Sequence, residues 1–293
     1  MDALVSGLTF VGIYGLSYGM ILFLISVGLV MTMGLVRVVN MAHGVFAAFG
    51  GYIAVALMNS AGLPYALAIV LACAVAGLGS LVVERLFFRR LYGASELEQA
   101  LLTIGLAFIG IASLNLLFGA NVVSATLPAP LTANIDLLGR SVQVYRVFVI
   151  VLGFAVVLSL WYAIDRTTFG ARLRACVDNA GMAEAVGINV RRLFAISYAA
   201  GSCLAALGGA VGAAILPLEP IYPFKYLVLI LMVVVMSGKG QMMLAAAVSI
   251  FLGVVDTAGR FLYPETGSFL IYMVLLVYLI VRGNTLIHSP VVR

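Results

Sequence analysis

The residues with the clearest capacity for chemistry form one short polar run, Arg37-Val38-Val39-Asn40-Met41-Ala42-His43-Gly44, between two long apolar stretches. An amide, an imidazole and a guanidinium can hydrogen-bond a small polar solute or satisfy unwound backbone, and a glycine lets the chain leave regular helix. Polar groups inside hydrocarbon are costly and mark a functional position by default. The same residues in a turn at the membrane surface need no function, and the residues alone leave both readings open. On the first reading Asn40, His43 and Gly44 are candidate translocation-pathway residues.

Other chemistry finds little support. The sequence contains no GxSxG elbow, HExxH pair or GxGxxG turn, the local patterns that soluble hydrolases, zinc peptidases and dinucleotide-binding folds require. Gly238-Lys239-Gly240 lacks both the glycine four residues before the Gly-Lys pair and the following Ser or Thr of a phosphate loop. His43 and His288 are far apart, and Cys73, Cys176 and Cys203 form no CxxC pair, which argues against a catalytic dyad, a metal site and a disulfide framework. Glu84 and Arg85 are adjacent, so on a helix they diverge by about 100° and pair with other helices or headgroups rather than with each other. No catalytic residue, metal or bound cofactor is expected.

The elements that must hold the polar run follow from composition. The 293 residues are 64% hydrophobic and 9% charged, with mean hydropathy +1.20, whereas soluble domains carry about 25% charged residues. So little charge cannot cover a water-facing surface, and the fold class expected is an all-α polytopic membrane protein, with residues 1–293 forming a single transmembrane domain. The net charge of +5 is spread thinly between apolar runs and forms no phosphate-facing stripe, which excludes a nucleic-acid partner and leaves membrane lipid. Asp2 is the only charge before Arg37; with no basic n-region, the first apolar segment reads as retained rather than as a cleaved signal.

Runs of spanning length, roughly 20 residues, fall at Val11–Val36, Ala42–Asn59, Tyr65–Phe88, Ala100–Gly119, Val147–Ile164, Leu193–Leu216, Tyr226–Ser237, Met242–Gly259 and Ser268–Val281. The seventh is too short alone: it either extends back through Pro223–Lys225 or forms a half-helix, so eight to nine helices are expected. Lys and Arg accumulate in cytoplasmic loops. Arg37, Arg85, Arg89, Arg90, Arg166, Arg172, Arg174, Arg191, Arg192, Lys239, Arg282 and Arg293, twelve of the 16 basic residues, fall on one side. That side is assigned to the cytoplasm together with the C-terminus; Arg140, Arg146, Lys225 and Arg260 fall outside.

Two connections are long. The outer one, residues 120–146, holds Pro128, Pro130 and Asn134 and reads as an irregular segment open to a partner. The inner one, residues 165–192, places Leu173, Cys176, Val177, Ala180 and Ala183 on one stripe, with Arg174, Asp178 and Glu184 off it. This is a short amphipathic cytoplasmic helix, either lying on lipid or docking into a partner's groove. Glycines at four-residue spacing, Gly12, Gly15 and Gly19 in the first span and Gly201, Ala205, Gly208, Gly209 and Gly212 in the sixth, read as close helix packing.

Beside these physical readings stands a resemblance. The run Gly28-Leu29-Val30-Met31-Thr32-Met33-Gly34, then Asn40-Met41-Ala42-His43-Gly44 and Gly50-Gly51-Tyr52, resembles the opening of permease subunits of the high-affinity branched-chain amino-acid ABC transporter family, the LivH-like permeases. Glu84-Arg85 and Thr103-Ile104-Gly105 are similar too. The inner loop is the most specific part: Gly170, Arg174-Ala175-Cys176, Asp178, Met182-Ala183 and Gly187-Ile188-Asn189 stand in the family's order and spacing. The resemblance implies a permease that pairs with a second, similar or identical permease subunit, two cytoplasmic ATPase subunits and a periplasmic substrate-binding protein in the bacterial inner membrane. It implies a loop helix coupling to the ATPases through Gly170, Arg174, Cys176, Asp178, Ala180, Met182, Ala183, Gly187 and Asn189, with ATP bound by the partner subunits only. One region departs. Where the family usually shows a Lys-containing helix closing in Gly-Gly-x-Gly-Ser, this chain has Ser237-Gly238-Lys239-Gly240-Gln241 after a Lys-free Tyr226–Met236. The substrate is thereby left open between a branched-chain amino acid, a related amide, another amino acid and a small polar metabolite. The competing reading is a self-sufficient secondary transporter or channel. Such proteins use intramembrane carboxylates or broken helices in repeated halves, yet Asp256 is the only acid well inside a run and the Arg37–Gly44 break has no convincing second copy.

Overall fold

The computed structural model describes residues 2–35, 40–89, 94–137, 140–238 and 240–287. Arg37, Arg90, Lys239, His288 and Arg293, used above for topology and chemistry, lie outside the described residues.

A helix that is apolar all round has to be enclosed by others, and α1 (Asp2–Leu35) is: Met20 through Ile25 are fully buried. After it the chain runs through α2 (His43–Ala61), α3 (Tyr65–Val83), α4 (Glu96–Phe118), a short α5 (Ala129–Thr132) and α6 (Val144–Asp165). After these come α7 (Thr168–Asp178), α8 (Ala180–Ala185), α9 (Val190–Gly212), α10 (Tyr222–Lys225), α11 (Leu227–Ser237), α12 (Met242–Leu262) and α13 (Gly267–Ile287). Among the described residues, seven helices are long and apolar enough to cross a membrane, with Tyr222–Ser237 and Gly267–Arg282 as shorter apolar helices. The expected all-α polytopic architecture is therefore what the chain adopts. Outer helices α4 and α6 are mostly exposed, so many of their Leu, Phe and Val side chains face lipid or a partner.

Small residues set the central contacts, because close backbone approach replaces the hydrophobic drive that lipid removes. A Cβ on Gly201 would lie 3.0 Å from the Gly28 carbonyl oxygen, and one on Gly208 2.8 Å from the Ile25 nitrogen. These contacts run α9 antiparallel along α1. On the other side of α1, Gly15 and Gly19 meet Val254 and Ile250 of α12. Gly12, grouped with these by spacing, has nothing within 4 Å and takes no part.

One open alternative is resolved and two sequence expectations change in detail. The seventh span extends back: α10 runs into α11 through Tyr226, whose N–H donates to the Tyr222 carbonyl (3.2 Å) and whose carbonyl accepts from Ile230 (2.9 Å). The outer connection is partly ordered by an antiparallel hairpin pairing Asn134–Leu137 with Arg140–Gln143 and by a two-way bridge from Val123 to Leu218. The inner connection is two helices rather than one, because Asn179 turns the chain between α7 and α8 and caps the second, its Oδ1 accepting from the Met182 N–H (3.0 Å). The bundle end bearing α7 and α8 is called the loop face below, the opposite end the hairpin face.

Candidate functional site

The described part of the polar run, Asn40–Gly44, is interior. The Met41 N–H donates to Thr103 Oγ1 (3.1 Å), seven residues into α4, and the Asn40 amide donates to the Tyr198 hydroxyl (3.3 Å), eight residues into α9. At ~1.5 Å per residue this segment sits roughly 10–12 Å in from the loop face. His43 Nε2 donates to the Ile25 carbonyl (3.1 Å), ten residues before the end of α1, and since a carbonyl only accepts, the proton is on Nε2. Asn40 and His43 are each 1% exposed and Gly44 is buried. Unwound backbone at such depth survives only when protein satisfies it; here Asn40 Oδ1 accepts from the Ala42 N–H (3.0 Å) and the Asn40 carbonyl from His43 (3.3 Å). The surface-turn reading does not fit these contacts. Nor do the side chains face open space: they are used in holding the break. Gly44 abuts the second irregular element, since a Cβ there would sit 2.9 Å from the Pro223 carbonyl oxygen at the start of α10.

The loop-face unit explains most of its motif residue by residue. Gly170 lets α7 touch the end of α6, because a Cβ there would overlap the Ile164 carbonyl. Arg174 latches the same point, donating to the Ile164 carbonyl (2.6 Å) and lying 3.6 Å from Asp165. Gly187 ends α8 at φ +87°, a conformation that favours glycine, and Asn189 caps α9 by accepting from the Arg192 N–H (2.9 Å). Leu173, Cys176 and Ala183 are buried against this chain. The apolar stripe thus seats the unit on its own bundle, and the outward surface carries Asp178, Ala180, Met182 and Val186, the last two 63% and 69% exposed. Burial, with Glu184 nearby, pushes the Cys176 thiol above its ordinary range. Because thiolate is the reactive form, Cys176 is expected to resist maleimide at neutral pH in folded protein and to react on unfolding. Labelling followed by mass spectrometry checks this, and rapid native labelling would contradict the buried stripe.

A third constellation escaped the motif search. Near the hairpin face a cavity of about 420 Å³ is lined by Tyr18, Ile215, Leu216, Lys225, Tyr226, Leu229, Asp256, Arg260 and Tyr272. Arg260 Nε and Nη2 donate to the two Asp256 oxygens at 2.8 and 3.2 Å, and Lys225 pairs with Glu219. The available signal was the Asp-x-x-x-Arg spacing in an otherwise apolar run, which a helix turns into neighbours.

A bundle of long apolar helices with a buried chain break, a polar cavity and a rigid surface unit tied to two spans defines a multi-pass membrane permease. The chain belongs to the family described as the permease component of the branched-chain amino acid transport system, whose model matches residues 12–279. Among curated relatives it is 23% identical to the high-affinity branched-chain amino acid transport system permease protein BraD of Pseudomonas aeruginosa, over 95% of each chain. It is 23% identical over 95% of each chain to the permease protein LivH of Escherichia coli K12. It is 28% identical to the probable branched-chain amino acid transport permease protein LivH of Methanocaldococcus jannaschii, over 66% of this chain and 62% of that one. No solved structure matches the chain.

Proposed function

We infer that the chain is the permease subunit of an ATP-binding-cassette importer for branched-chain or related amino acids. It lies in the bacterial inner membrane, pairs with a second permease subunit, and works with two cytoplasmic ATPases and a periplasmic binding protein. The observation that carries this reading is the loop-face unit, whose α7 is latched to the end of α6 through Gly170 and Arg174 and whose α8 passes through the tight Gly187 turn directly into α9 at its Asn189 cap. A lever fixed to two spans and exposing Met182 and Val186 suits a partner that pushes on it. ATPase closure would then tilt α6 and α9 as rigid bodies and switch access. Arg85, Arg89, Arg166, Arg172, Arg191 and Arg192 lie toward this face, which supports a cytoplasmic loop face and C-terminus.

The test is reconstitution. The purified chain in liposomes is expected neither to bind nor to hydrolyse ATP, and uptake of labelled L-leucine is expected only when ATPase subunits, binding protein and ATP are supplied. Accumulation driven by a proton or sodium gradient with this chain alone would instead establish a secondary transporter.

A further inference from the structure

The cavity near the hairpin face combines features that a purely structural ion pair does not need. Asp256 belongs to the buried face of α12, six residues before the helix ends and hence roughly 9 Å deep, while its partner Arg260 has a side chain 58% exposed. Lys225 is likewise 48% exposed on an apolar helix. Half-exposed charges on membrane helices face water-filled space or protein rather than hydrocarbon. Both signs therefore border one wet cavity, of a volume within the roughly 300–1,000 Å³ typical of small-molecule sites. Its floor is apolar: Leu216 and Leu229 are buried at its edge.

We propose that this cavity is a binding site within the permease for a zwitterionic α-amino acid with an aliphatic side chain, held through Asp256, Lys225 and Arg260. The ligand ammonium takes an oxygen of Asp256, the ligand carboxylate takes Lys225 and the guanidinium of Arg260, and the side chain lies against Leu216 and Leu229. Asp256 and Arg260 each exchange the other for a ligand charge, and Lys225 exchanges Glu219, whose 28% exposed carboxylate is left to water. Neutral solutes and singly charged analogues cannot make that exchange and leave one group without a partner. The proposal rests on the transport reading above and adds a place where the permease itself recognises substrate.

The experiment uses the full chain purified with its ATPase subunits in nanodiscs without binding protein, carrying Tyr272→Cys at the cavity rim. Labelling by a charged methanethiosulfonate is followed with L-leucine, leucinamide or 4-methylpentanoate present. L-Leucine is expected to slow labelling severalfold, and the two analogues, each lacking one charge, are not. Asp256→Asn is expected to raise the half-protecting leucine concentration about tenfold or more, as loss of an ionic hydrogen bond implies. Lys225→Met, which replaces a half-exposed side chain and should not disturb packing, is expected to do the same. Absence of protection, equal protection by either analogue, or a Lys225→Met protein that binds leucine like the parent would overturn the proposal. ATP-driven leucine uptake without protection removes this site and leaves the importer standing; protection in a complex that never couples ATP hydrolysis upholds the site and removes the importer.

Discussion

Replacing Gly170 by valine is expected to abolish ATP-dependent uptake while the membrane bundle still assembles. The atoms a Cβ would overlap are the Ile164 carbonyl oxygen and carbon, which are backbone in the last turn of α6 and cannot rotate aside. The accommodation must come from α7, the shorter and more exposed partner, and moving it breaks the 2.6 Å hydrogen bond from Arg174 to the same carbonyl. Overpacking of this kind costs about 1–3 kcal/mol. The exposed Arg174–Asp165 pair, both side chains 50% exposed, offsets little of it. A bundle held by contacts along α1, α9 and α12 tolerates that cost; the lever does not, because its function is its rigid attachment. The expected result is chain in the membrane at normal abundance, ATPase subunits hydrolysing without transport or failing to co-purify, and uptake near background. Full uptake by Gly170→Val would mean that α7 is not the coupling element. Gly170→Ala, which meets the same atoms with fewer methyls, should fall between valine and the parent.

How much of this could be read beforehand depends on the range of the interaction. The spans were legible because apolar length is a local property, and Gly170 and Asn189 were marked by motif order. Their roles were not, since Gly170 matters through Ile164 across a turn and Asn189 through a cap. The stripe of Leu173, Cys176, Val177, Ala180 and Ala183 was read as one apolar face of one helix; Leu173, Cys176 and Ala183 are covered by this chain's own helices, whereas Ala180 is exposed, because the turn at Asn179 ends the periodicity before it. Asn179, absent from the stripe argument, breaks the helix because its side chain caps the next one. Asn40 and His43 looked like pathway residues from their polarity in an apolar context. Their partners Tyr198 and Ile25 lie 158 and 18 residues away, beyond what local pattern reveals. The Asp256–Arg260 pair was visible as spacing, whereas Lys225 and Glu219 join it only through the return of the chain after α9.

The two interior breaks are joined at one point, and Gly44→Leu tests whether that joint serves transport. A leucine there would drive its Cβ to 2.9 Å from the Pro223 carbonyl and 3.0 Å from its Cα, again backbone atoms. Two ways remain to relieve the overlap: α2 retreats, at the expense of the Asn40 and His43 hydrogen bonds, or α10 is displaced. The first leaves buried polar groups unpaired, at about 1–3 kcal/mol each. The second is the easier, since α10 is a four-residue helix between a proline-containing segment and Tyr226. Displacing α10 moves Lys225 and Tyr226 and so reshapes the charged cavity from below. Uptake is therefore expected to fall at least as far as in a direct Lys225 variant, although residue 44 lies outside that cavity. The informative readout is the reactivity of Tyr272→Cys toward a charged thiol reagent in the Gly44→Leu background. A changed rate places the coupling through α10. An unchanged rate with uptake lost would place it in the α2 break itself, while normal uptake would mean that the contact between α2 and α10 is packing alone.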